Sequence, residues 1–121
     1  VPSGGAALVV LKRLEDAEHS GDQILGVIQG VGLSNDGRQN GFLAPAVAGQ
    51  TRAMANALEQ ANLTPADIQY IDCHATGTSR GDVTELDSLC QVYGETPLKL
   101  GALKGNLGHT ITASGAASLI N

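Results

Sequence analysis

Residues 5–13, GAALVVLKR, open on an apolar run that does not alternate, the pattern of a strand buried on both faces. A short helical turn is predicted next, through LEDAEHSGD. ILGVIQGVGL at 24–33 predicts a second strand in which positions 26, 30 and 32, on one face, are all glycine. Repeated glycine weakens a strand, so another backbone or a ligand is expected to approach that face closely. SNDGRQNGFLAP is rich in turn residues and ends the strand. From Ala48 to Asn62 the spacing predicts a helix whose stripe is Val47, Thr51, Met54, Leu58 and Ala61, with Arg52, Glu59 and Gln60 off it. Thr64-Pro65-Ala66-Asp67 has the form of a capped single turn with proline in its first position.

IQYIDC at 68–73 predicts a third strand. Asp82-Val83-Thr84-Glu85 resembles a capping box and predicts a helix that turns Val83, Leu86, Leu89, Cys90 and Tyr93 inward and stops at Gly94. LKLGAL at 98–103 predicts a fourth strand, and TITASGAASLIN a small-residue helix able to approach a neighbour closely. From residue 47 the order is helix, strand, helix, strand, helix, which predicts an α/β fold of parallel strands with crossover helices. Ligands of such sheets bind beyond the carboxyl ends of the strands. His74 ends the third strand and His109 follows the fourth, so both are expected there.

Composition narrows the class. The 121 residues suffice for one small domain, 42% are hydrophobic, and the only Phe is Phe42 with no Trp. A core of Val, Ile, Leu and Ala is therefore expected. The net charge of −5 with scattered bases gives no nucleic-acid-binding stripe. The longest apolar run, AALVVL, is too short for a bilayer, and no secretory leader pattern is visible, so a cytoplasmic protein is expected. Cys73 and Cys90 fit neither a disulfide framework nor a zinc pattern, and no metal site is expected.

The chemistry lies in two segments, CHATGTSRGD and KGNLGHT. Thr76 and Thr78, spaced by Gly77, can donate hydrogen bonds to an extended polar ligand, or simply form a turn that caps the helix starting near Asp82. His109, bracketed by glycine and preceded by Lys104 and Asn106, suits a narrow cleft, or is a loop histidine beside a surface lysine. Two neutral imidazoles side by side can each donate an N–H to one developing oxyanion or enolate. Glu85 either pairs with Lys104 and fixes the His109 loop, or belongs to a solvated acidic helix start. Cys73 and His74 are adjacent on a strand and point to opposite faces, so they are not expected to act as a nucleophile and its base. Cys73 is expected to pack as a small hydrophobe and Cys90 to lie in the core stripe of its helix. The chain thus offers histidines suited to acyl chemistry without a convincing nucleophile.

CHATGTSRGDVTE resembles the H-x-T-x-T segment of β-ketoacyl synthases, and KGNLGHT their K-x-N-x-G-H segment. GAALVVLKRLEDA, VIQGVGLSNDGR and NGFLAP are similar to the elements that precede those motifs in polyketide-synthase ketosynthases, so the likeness runs from about Ser3 to Asn121. It implies part of a thiolase-like fold, a parallel or mixed sheet with covering helices. Residues 1–46 would be the end of an N-terminal half and 47–121 the start of a C-terminal half.

The activity implied is a decarboxylative Claisen condensation of a malonyl-type thioester with an acyl thioester, in polyketide or fatty-acid elongation. Its catalytic residues would be His74 and His109 with Lys104, supported by Glu85 and Asn106, and Thr76 and Thr78 would bind phosphopantetheine. No covalent cofactor is implied. The substrates ride on the phosphopantetheine arm of an acyl carrier protein, and the family is usually homodimeric.

The family's nucleophilic cysteine sits in a D-T-A-C-S-S-like segment that has no counterpart here, and Gly4 and Ala7 stand where Glu and Gly are usual. The family domain is also several times longer. The chain is therefore expected to be a fragment that needs the remaining ketosynthase segments to fold and is inactive alone. A thiolase-type acyl-CoA enzyme and a non-catalytic ketosynthase-like partner subunit are the alternatives.

Overall fold

A computed structural model describes residues 2–37 and 44–121. Phe42 and half of the turn-rich stretch around it, residues 38–43, lie outside the described residues. Helix α1 (Leu14–Ser20) carries Glu15 and Asp16 in its first turn and closes on Gly21, whose left-handed φ of 68° lets its N–H reach back to the last carbonyls. Helix α2 (Val47–Ala61) closes the same way on Asn62. Thr64 and Asp67 then form the expected capping box around a 3₁₀ turn at Pro65–Asp67. Strand β1 (Tyr70–Asp72) leads through the His74 loop to helix α3 (Ser79–Tyr93), and strand β2 (Lys99–Gly101) returns parallel to β1. Tyr70 pairs with Lys99 and Asp72 with Gly101, and the Cys73 N–H extends the ladder to the Gly101 carbonyl at 2.8 Å. Helix α4 (Lys104–Leu107), a 3₁₀ turn at Ile111–Ala113 and helix α5 (Ser114–Ile120) complete the chain.

The β1–α3–β2 unit is the crossover that the helix–strand order predicts. The α2 stripe is also where the spacing puts it, with Val47, Thr51, Met54, Leu58 and Ala61 half-buried and Arg52, Glu59 and Gln60 exposed. Gly30 and Gly32 explain themselves against this helix. A Cβ at Gly32 would overlap the Ala53 carbonyl, and one at Gly30 the Ala57 carbonyl, so backbone lies directly on backbone.

Other expectations are corrected. Residues 5–13 and 24–33 form no ladder, because among the described residues the only ladder is β1–β2. An apolar run becomes a strand only where a neighbour supplies hydrogen bonds, and here Leu8, Val10 and Leu25 are more than 90% exposed. The core is correspondingly small, with Ala17, Ala46, Cys73 and Leu89 its buried apolar residues.

Helix α3 begins at Ser79, not near Asp82, because Thr78 caps it by accepting the Gly81 N–H at 3.2 Å. Leu89 is buried and Tyr93 half-buried as expected, and Glu85, Ser88 and Val92 are covered as well, while Val83, Leu86 and Cys90 are exposed. The predicted stripe is thus off by part of a turn. Val83, Leu86 and Cys90 have the right spacing for burial, but the tertiary neighbour lies on the adjoining face.

Candidate active site

The two segments singled out by sequence meet at the carboxyl ends of β1 and β2. The His74 and His109 rings stand edge to face at 87°, with centroids 5.4 Å apart. The two rings thus lie side by side at the strand ends, as their places in the sequence predict.

Glu85, one turn and a half into α3, holds the first of them. Its two carboxylate oxygens accept the backbone N–H of His74 at 2.5 Å and of Ala75 at 2.8 Å. Ala75 sits at a φ of 36°, a conformation that costs an L-residue about 1–2 kcal/mol. The carboxylate clamp is what keeps the strained turn in place. The expected Glu85–Lys104 pair is not formed. Among the described residues the one ion pair within 4.0 Å is Lys12–Asp22, because the Glu85 oxygens are already taken by the loop amides. Nor does Asp82-x-x-Glu85 act as a capping box, since Asp82 accepts the Gly77 N–H at 3.2 Å instead.

The imidazole of His74 is held below its ordinary value of 6.5, first by the protein packed against it and then by the Lys104 ammonium. Glu85 pulls the other way, His109 lowers it further and Asp82 again raises it. The outcome favours a neutral ring. Lys104 reaches under this loop, its ammonium donating to the Cys73 carbonyl at 3.5 Å. Asn106 is exposed on α4.

His109 is fixed by a different device. Its Nδ1 accepts the Ile111 N–H at 3.0 Å. A ring nitrogen that accepts from an amide carries no proton, so the neutral ring bears its hydrogen on Nε2 and offers it as a donor. The bond requires Ile111 at a φ of 54°, a strained position for a β-branched residue. Behind the ring lies Ser114, whose Oγ is 2.9 Å from Nδ1. Upstream, the Ser3 N–H donates to the His109 carbonyl at 3.0 Å and Pro2 bridges the same residue in parallel.

Thr76 is half-buried, and its hydroxyl lies 3.5 Å from that of Thr78. Thr78 uses one oxygen lone pair in the α3 cap, which leaves its O–H to donate to Thr76 or to a ligand. Cys73 is buried at 8% exposure, on the other side of the strand from exposed His74, and burial pushes its thiol up, reinforced by Glu85 and Asp72. Cys90 is exposed, contrary to its expected place in the core. No group of three or more candidate metal ligands occurs among the described residues. No described helix is long and apolar enough to cross a membrane.

Sequence reasoning missed Asp72. Its carboxylate accepts the Leu103 N–H at 3.2 Å and so ties the end of β1 to the start of α4. Ser118 on α5 is the main cause of its lowered pKa, offset by burial and assisted by Leu103 and Lys104. A charge inside the apolar IQYIDC run was the available signal. Ser114 and Ile111 gave none, since nothing local separates them from neighbouring small or apolar residues.

Residues 25–121 match the family model described as Beta-ketoacyl synthase, C-terminal domain. The chain belongs to the β-ketoacyl synthase family. It is 42% identical over 124 residues to a component of the pikromycin polyketide synthase of Streptomyces venezuelae, covering 98% of this chain and 8% of that protein. It is 45% identical over 120 residues to a component of the phenolphthiocerol/phthiocerol polyketide synthase of Mycobacterium tuberculosis, covering 96% of this chain and 6% of the relative. Among solved structures, an oxazolomycin ketosynthase domain of Streptomyces albus JA3453 superposes with a TM-score of 0.85 at 38% identity, over 90% of this chain and 30% of that one. The fold is thus part of the thiolase-like α/β fold of ketosynthases, and the chain spans a small share of the polyketide synthases it matches.

Proposed function

We propose that this chain contributes the histidine side of a ketosynthase site that carries out decarboxylative condensation of a malonyl-type thioester with an acyl thioester. The observation that carries this reading is the edge-to-face pair of His74 and His109, with ring centroids 5.4 Å apart at the strand ends. In the reaction a cysteine thiolate, supplied by residues outside this chain, takes the acyl group and releases the carrier thiol. The malonyl thioester then loses CO2, and the electrons of the broken C–C bond pass into the thioester as an enolate. His109 Nε2–H, with His74 as the second donor, stabilises the enolate oxygen as charge develops. The enolate carbon attacks the acyl-enzyme carbonyl, the new C–C bond forms, and the cysteine leaves as thiolate.

Lys104 is assigned the task of keeping His74 neutral, Glu85 that of holding its loop, and Asn106 a supporting place on α4. Thr76 and Thr78 are assigned to the phosphopantetheine arm of an acyl carrier protein, with their hydroxyls as donors. The buried, raised thiol of Cys73 supports the reading that Cys73 is not the nucleophile. In this reading the chain alone is inactive and the whole enzyme is homodimeric and cytoplasmic; the exposed apolar segments 5–13 and 24–33 support completion by further ketosynthase residues.

The test uses the full-length protein carrying these residues, supplied with an acyl thioester and a carboxyl-labelled malonyl carrier thioester. Release of one CO2 per β-ketoacyl product is expected. Condensation of two simple acyl thioesters without CO2 would instead mark a thiolase-type enzyme, and no turnover at all a non-catalytic partner subunit.

A further inference from the structure

We infer that Ser114 is a positioning residue for His109, its hydroxyl acting with the Ile111 N–H to hold the ring with the proton on Nε2. The inference rests on the reading above, in which His109 donates to the enolate oxygen. Ser114 is 8% exposed at the start of α5, with its Oγ 2.9 Å from His109 Nδ1 and 3.3 Å from Thr110 Oγ1. A chain can run from the Thr110 hydroxyl through Ser114 to Nδ1, so the buried Ser114 hydroxyl has a partner on each side.

The two partners of Nδ1 differ in kind. The Ile111 amide can only donate, so it supports the ring while Nδ1 is bare. The Ser114 hydroxyl donates to a bare Nδ1 and can turn to accept from a protonated one. It therefore holds the ring in one orientation through any change of protonation during turnover, which the amide alone cannot do. It also relieves a mechanical weakness. Ile111 is 62% exposed and strained at a φ of 54°, a poor sole anchor for a catalytic ring.

The test compares Ser114→Ala and Ser114→Cys in the full-length protein carrying these residues. Cysteine nearly preserves the volume but replaces the hydroxyl with a weak donor. The rate of malonyl decarboxylation is read as a ratio to acyl loading of the nucleophilic cysteine, which counts folded sites. Both variants are expected to lower that ratio roughly fivefold through kcat, with the KM for the malonyl thioester within about twofold of the parent. A Ser114→Cys variant that decarboxylates at the parental ratio would show that Ser114 only fills space, and the inference would be overturned. A loss of folded sites with an unchanged ratio would overturn it equally. His109→Ala run alongside separates the levels: decarboxylation unchanged there defeats the underlying reading, whereas a loss there with both Ser114 variants unaffected defeats this inference alone.

Discussion

Glu85 reaches back across ten residues to accept the Ala75 N–H at 2.8 Å, and its other oxygen takes the N–H of His74. One carboxylate on α3 thereby fixes the backbone that presents a candidate catalytic ring. Glu85→Ala leaves both amides to water and is expected to cost about 1–2 kcal/mol of stability in urea unfolding. Decarboxylation should fall at least roughly tenfold in the same variant. Glu85→Gln keeps one acceptor oxygen and should fall between the parent and the alanine variant on both measures.

Ala75 is held at a φ of 36°, where glycine is at ease. Ala75→Gly is expected to stabilise the folded protein by about 1 kcal/mol, measured by the same urea titration, because the relief of strain exceeds the added freedom of the unfolded chain. A loss of stability would show that the turn is not strained.

The pH dependence follows from the lowered pKa of His74. The folded ring resists protonation, so its contribution to stability is present above 6.5 and is lost as pH falls from 6.5 through the lower folded value. Decarboxylation that needs the neutral ring should likewise persist as pH falls past 6.5. Burial, Lys104 and His109 act in that direction, and Glu85 and Asp82 against it. Lys104→Met removes the second-largest cause and should move the acid limb of the rate profile to higher pH. An unmoved limb would place the lysine's role elsewhere.

The two cysteines should separate by reactivity. Cys73 is buried with its pKa raised, while Cys90 is exposed on α3. In the full-length protein carrying these residues, iodoacetamide is expected to label Cys90 at least roughly tenfold faster than Cys73, read by peptide mass spectrometry. Faster labelling of Cys73 would contradict its packing beneath β1.

Local pattern carried much of this fold. The 3.6-residue stripe of α2 and the capping box at Thr64 were legible because each depends on residues close in sequence, and Gly30 and Gly32 marked a close approach without naming α2 as what approaches. The convergence of His74 and His109 followed from a rule about strand ends. What local pattern could not supply was the identity of distant partners. Residues 5–13 and 24–33 have strand-like composition but no described ladder, and α3 buries the face beside the one its apolar spacing favours. Glu85 was placed in the right region and given the wrong partner, since the nearest unsatisfied donors were two loop amides and not a charged side chain. Ser114 was invisible, because its importance lies in a single 2.9 Å approach to Nδ1.

The central claim is that His74 and His109 act on one oxygen, and a double-mutant cycle on malonyl decarboxylation tests it most directly. In the full-length protein, His74→Ala and His109→Ala should each lower the rate by about 10²–10³-fold while acyl loading continues, and the double variant should be little worse than either single one. Rates within about twofold of the parent for either single variant, or losses that simply multiply in the double, would contradict a shared acceptor.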